Sequence, residues 1–201
     1  MELKGSHKNK PTKSKGWFEI RKILAKSTDR DLLKIISELY ALSKDNKNFL
    51  DSRFFQDKST IASYKKIIAV NLTPSNSKLR YLNPWDYASA VSLKNAKKAL
   101  SDYKKATGDE YGLIELMIYY VECGTAVSLS HGDMYDQYYG SLVSVFKSAL
   151  LLMGKYPHEE MLPFIDRVKL LIKKTRNIGW GYFETLHYLF KNSYETDSIG
   201  E

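Results

Sequence analysis

The chain has 201 residues, 43% of them apolar on a broad count and 27% charged, with Lys+Arg 31 against Asp+Glu 23 and a net charge of +8. That is enough for one compact domain with a real core, and the 15 Tyr, 8 Phe and 3 Trp exclude a wholly disordered chain. One cysteine, Cys123, excludes an intramolecular disulfide framework and a cysteine-based zinc knuckle.

Residues 1–16 carry five lysines and one glutamate and almost nothing apolar, and read as a disordered basic arm. Their charge is not followed by the apolar stretch of a secretory signal. No run of about 18 uncharged apolar residues occurs, and Leu113–Val121 is broken by Glu115, so no spanning helix and no membrane partner are expected. A cytoplasmic location is the default reading.

Trp17 to Ala25 predicts a short helix. Ser27-Thr28-Asp29 then caps an amphipathic helix through Leu32, Leu33, Ile35, Ile36, Leu39 and Tyr40. Helical periodicity runs from about 46 to 70, with a break near Asp57-Lys58-Ser59. The pattern fails over 71–86, a long connection with Pro74, Pro84, three Asn and two Ser. It returns from Trp85 to Ala106, with Gly108 as stop and Asp109 as start of the next helix. Tyr111–Cys123 is apolar nearly all round and predicts a helix central to a bundle, ended by Gly124. Asp133 is read as the N-cap of the next helix, Pro157 opens another that ends near Ile178-Gly179, and the last covers about Gly181 to Lys191. Starts near 109, 134, 157 and 181 give a stride of about 24, which suits antiparallel neighbours joined by short turns.

The expected fold is therefore all-α: a single helical domain of about seven to eight helices over 17–192, in an antiparallel bundle or solenoid-like stack. The acidic tail, 193–201, holds three acids. With +4 in the arm and −3 in the tail out of +8 overall, the span between carries +7.

Four segments carry a likeness to a known group: Ala96–Asp109 (AKKALSDYKKATGD), Leu113–Gly124 (LIELMIYYVECG), Gly132-Asp133 with Tyr138-Tyr139, and Ile178-Gly179-Trp180-Gly181-Tyr182. With Asp31-Leu32-Leu33 and Leu39-Tyr40 ahead of them, the chain resembles an uncharacterised bacterial family of small helical proteins, a domain of unknown function. The resemblance covers about 25–189 and implies a helical fold and bacterial origin, but no activity.

Three constellations could carry function. Lys94, Lys98 and Lys105 fall on one helical stripe, with Leu93, Ala96, Leu100 and Tyr103 on an inward face. Lys78, Arg80, Tyr81 and Trp85 lie in the connection before it, and Lys169, Lys173 and Arg176 form a second stripe. Cations with interleaved aromatics suit phosphates and bases, or an acidic protein surface. Glu115 and Glu122, seven apart on an apolar helix, lie close in sequence to Cys123, His131, Asp133 and Asp136. Oxygen and one imidazole could hold a divalent metal, but the spacing matches no metal signature. Pairing of the two glutamates with Lys or Arg from neighbouring helices explains more. Glu184 and His187 share a helix face and could transfer a proton, with Trp180 plugging the helix corner and Gly179 as a left-handed cap. No nucleophile or nucleotide motif is present.

These residues point to a non-catalytic interaction or adaptor module with a basic surface, binding an acidic protein or nucleic acid and needing no cofactor or metal. Sequence-nonspecific nucleic-acid binding is the first alternative. A metal-dependent enzyme using the Glu115, Glu122 and Asp133 region is the second.

Overall fold

The computed structural model describes residues 16–55, 58–73 and 91–194. Most of the basic arm, positions 74–86 of the long connection with 87–90 of the stretch expected to be helical from Trp85, and nearly all of the acidic tail lie outside them. Nine α-helices and no strand occur among the described residues, as the all-α reading requires. They are α1 (Trp17–Leu24), α2 (Asp29–Leu42), α3 (Lys44–Phe54), α4 (Lys58–Leu72), α5 (Leu93–Thr107), α6 (Glu110–His131), α7 (Asp136–Met153), α8 (His158–Lys174) and α9 (Tyr182–Tyr194). The chain divides into two compact units, one ending at Lys47 and the other beginning at Asn48.

In the first unit, α2 is held by its own cap. Thr28 Oγ1 accepts the Asp31 amide (3.2 Å), and Asp31 Oδ2 accepts the Thr28 amide (3.3 Å). This reciprocal box satisfies two amide donors that a helix start leaves unpaired. Neither α1 nor α2 has a buried residue.

The second unit holds every buried hydrophobic residue among those described, from Tyr64 to Phe190. Its centre is α6, whose Leu113, Ile114, Leu116, Ile118, Tyr120 and Val121 are sealed from solvent. Helices α4, α5, α7 and α8 pack on α6, and α9 packs on α7 and α8. By length and apolar content α6 is able to cross a bilayer, a property the stricter count over uncharged residues did not register. Here it is the core helix, with most of that stretch buried inside the protein. Asp109 caps it by accepting the Gly112 amide (2.9 Å), and the same carboxylate accepts the Tyr103 hydroxyl (2.6 Å). Gly108 closes α5 at φ +68, a backbone that favours a residue without a side chain.

Several expectations are corrected. Gly124 does not end α6, which continues to His131. A Cβ at Gly124 would run into the Leu142 side chain of α7, so this glycine is a groove for the neighbouring helix. Its carbonyl also accepts the Tyr138 hydroxyl (2.9 Å). Asp133 does not cap α7, which begins at Asp136 after Tyr135. Instead Asp133 Oδ1 accepts the Gly179 amide, 3.1 Å away in the turn between α8 and α9. Gly179 permits that approach: a Cβ there would meet Asp133 Oδ2 at 2.5 Å, so the carboxylate would have to shift. The left-handed positions are Trp180 (φ 61) and Gly181 (φ 64). Trp180 does not plug the corner: it is 61% exposed. The segments Gly132-Asp133, Tyr138-Tyr139 and Ile178–Tyr182 thus meet, with the Tyr139 and Tyr182 rings 4.9 Å apart and Tyr182 Oη 2.9 Å from Thr125 Oγ1.

Candidate functional site

The titratable cluster on α6 is spent on structure. Arg167 of α8 grips Glu122 with two parallel bonds, Nε to Oε1 (2.8 Å) and Nη2 to Oε2 (2.7 Å), and reaches Glu115 Oε2 with Nη1 (2.5 Å). Lys65 of α4 pairs with Glu115 Oε1 at 2.6 Å. One guanidinium thus ties two turns of α6 to α8, with α4 joined through the ammonium. Burial opposes ionisation of Glu115, but the hydrogen bonds and charges of Lys65 and Arg167 outweigh it and hold its carboxyl below the ordinary value. Arg167 is raised in turn, chiefly by its bond to Glu122.

The other residues singled out with these glutamates point elsewhere. His131 Nδ1 lies 3.1 Å from the Val127 carbonyl, and Asp133 bonds Gly179. Burial pushes the Cys123 thiol up. No three His, Cys, Asp or Glu among the described residues are grouped to hold a metal ion. His187 stacks on Phe183 with ring centres 5.7 Å apart, and among the described residues it makes no bond to Glu184.

Of the cations expected to form the working surface, Lys78 and Arg80, with the aromatics Tyr81 and Trp85, lie outside the described residues. On α5, Lys94, Lys98 and Lys105 are exposed while Ala96, Leu100 and Tyr103 face the core. Lys98 is paired with Asp102 at 2.6 Å. The carbonyl of Lys105 accepts the Arg53 guanidinium (2.6 Å), which fixes the backbone there and leaves the ammonium to solvent.

The second stripe builds a site. Lys169, Ile172, Lys173 and Arg176 line one wall of a cleft of about 220 Å³, and Phe183, His187 and Phe190 of α9 line the other. Lys169, Ile172 and Lys173 share one face of α8, with Arg176 in the turn just past its end, and Phe183, His187 and Phe190 share one face of α9. Ile172 and Phe190 are buried as the floor, and the three cations are exposed at the rim. None of Lys169, Lys173 and Arg176 is paired with a described carboxylate, unlike Lys65, Lys98, Lys155 and Arg167. The cationic wall was legible in the sequence as a helical stripe. The aromatic wall was not, because it belongs to another helix and its spacing alone reads as core.

A larger hollow of about 360 Å³ lies between α3 and α4, lined by Asn48, Asp51, Ser52, Thr60 and Tyr64 among others. Two of its hydroxyls are taken by local carbonyls, Ser52 Oγ on Asn48 (2.6 Å) and Thr60 Oγ1 on Phe55 (2.8 Å). The α8–α9 cleft, with three cations that no described carboxylate pairs, is the stronger site. Comparison with protein-family models, with curated proteins and with solved structures finds no match to this chain.

Proposed function

We propose that the chain is a non-catalytic helical adaptor, working in the cytoplasm, whose α8–α9 cleft takes an acidic segment of a partner protein. The observation that carries this reading is the set of three cations, Lys169, Lys173 and Arg176, around an apolar floor, none of them paired with a carboxylate among the described residues. Unpaired charge at the rim of a cleft steers an oppositely charged partner, and contacts at the floor add specificity. A protein segment suits the cleft better than nucleic acid. Phe190 is buried and Phe183 is half-buried with one face stacked on His187, which leaves little aromatic surface for base stacking. The exposed lysines of α5 add to the long-range attraction.

The test is a titration with a short poly-glutamate peptide, and with single- and double-stranded DNA, at several salt concentrations. The expected result is salt-sensitive peptide binding that Lys173→Glu with Arg176→Glu weakens by about tenfold or more, while Lys94→Glu changes it little. DNA binding tighter than peptide binding, with a steep salt slope, would replace this reading with phosphate recognition.

A further inference from the structure

Trp180 serves neither the core nor its own backbone. The indole is 61% exposed, and among the described residues Trp180 is the only non-glycine at positive φ, 61. A left-handed backbone is unfavourable for a residue with a Cβ and falls more readily to Gly or Asn. Yet the turn that holds it is firmly built. Ile178 before it and Tyr182 after it are buried. The Ile178 amide donates to the Thr175 carbonyl (2.9 Å) and the Gly179 amide to Asp133 Oδ1 (3.1 Å). Both the amide and the hydroxyl of Thr185 donate to the Gly181 carbonyl, at 3.0 and 2.8 Å. The flanking Gly179 and Gly181 have no side chain to lie over the ring, and a Cβ at Gly181 would meet nothing within 4 Å. Exposure here is not looseness: a fixed turn displays a large apolar ring at a backbone strain that no described packing offsets. Strained residues of this kind gather at binding sites.

The same turn joins the two walls of the α8–α9 cleft: Arg176 lies four residues before Trp180, and Phe183 three after it. We propose that Trp180 is the anchor that selects the segment this cleft takes, and that the segment carries an aromatic side chain flanked by acids. This rests on the cleft as the docking site for an acidic segment and adds what must stand beside the acids. Lys169, Lys173 and Arg176, paired with no described carboxylate, face the acidic flanks. The exposed indole takes the partner's ring. Charge by itself attracts any acidic chain and sets the rate of encounter more than the choice of partner. Aromatic pairs add a preference for particular ring geometries beyond the area they bury. An indole already fixed by its turn has little freedom left to lose on binding. Trp and Arg are also the residue types on which interface energy concentrates. A nucleic-acid strand fits less well. Stacking platforms set successive aromatic faces along a cationic track, whereas here one exposed ring stands at the turn of a cleft of about 220 Å³.

The experiment titrates the full chain with two labelled peptides, poly-glutamate with one central Phe and the same peptide with Ala in its place. The Phe peptide is expected to bind about fivefold tighter. Trp180→Asn should bring the two peptides level, with the thermal melt unchanged because Asn suits a left-handed backbone. Trp180→Phe, which keeps a ring, should keep a preference for the Phe peptide. Lys173→Glu with Arg176→Glu should weaken both peptides, by about tenfold or more. Equal affinity of the parent for the two peptides, or a preference that survives in Trp180→Asn, would overturn this inference and leave the cleft as a site for acids. A parent that binds neither peptide would overturn both. A single-stranded oligonucleotide that binds tighter than the Phe peptide, and that Trp180→Asn weakens, would put base stacking in the place of the aromatic side chain.

Discussion

Arg167 gathers more polar bonds than any neighbour at the α6–α8 contact, and its removal leaves Glu122 without that partner and Glu115 with Lys65 alone. Deleting one member of a partly dehydrated cluster is costly because the remaining charge stays where it is. Arg167→Ala should therefore lower stability by about 2 kcal/mol, read from urea denaturation. Glu115 carries a pH signature. Its folded carboxyl titrates below the ordinary value, so its contribution is complete above that value and is lost as pH falls through the lower, folded one. Glu115→Gln should be less stable than the parent at neutral pH, with the gap closing below about pH 4. Cys123 sits on the same helix with its thiol pushed up by burial. It should react with a thiol reagent more slowly than free cysteine at pH 8 and at the ordinary rate in denaturant. Trp180 behaves in the opposite way to a core aromatic. Exposed and at positive φ, it should tolerate Trp180→Asn with no loss of stability, where a buried Trp would cost about 3 kcal/mol or more.

At the scale of the element, what was legible in the sequence is what closes within one turn. Thr28 with Asp31, Asp109 with Gly112, and Gly108 after α5 all act within four residues, so the local string carries their meaning. Gly124 and Asp133 do not. A glycine in an apolar helix reads as a stop until its neighbour is known, and the neighbour, Leu142, belongs to the next helix. Asp133 has the chemistry of a cap, yet its amide partner lies 46 residues on, at Gly179. Gly179, expected as a left-handed cap, is instead the point of close approach for the same reason, and the left-handed backbone falls to Trp180 and Gly181: close approach is a tertiary property and only the left-handed backbone is local. Gly124→Ala should cost about 1–3 kcal/mol through overpacking against Leu142. In a double-mutant cycle, Gly124→Ala with Leu142→Val should cost less than the two changes summed.

At the scale of the molecule, the buried core is distributed unevenly along the chain. No described residue of α1 or α2 is buried, whereas the second unit contains the whole described core. A chain starting at Ser43 should keep its helical circular dichroism and melt within about 3 °C of the full protein. The fold class was readable because periodicity repeats along the chain. The assembly of a cleft from two helix faces was not, since it depends on how those faces are turned. That turning has a visible cause. At about 100° per residue, Lys169 and Lys173 lie on the far side of α8 from Arg167, and Arg176 follows in the turn just beyond the helix. Gripping both glutamates pins the azimuth of α8, and the pin aims positive charges outward that it never touches. A helix free to swivel would scatter them. Arg167→Met should therefore blunt capture at the rim as well as weaken the core, making one buried-side clasp the compass for the opposite face.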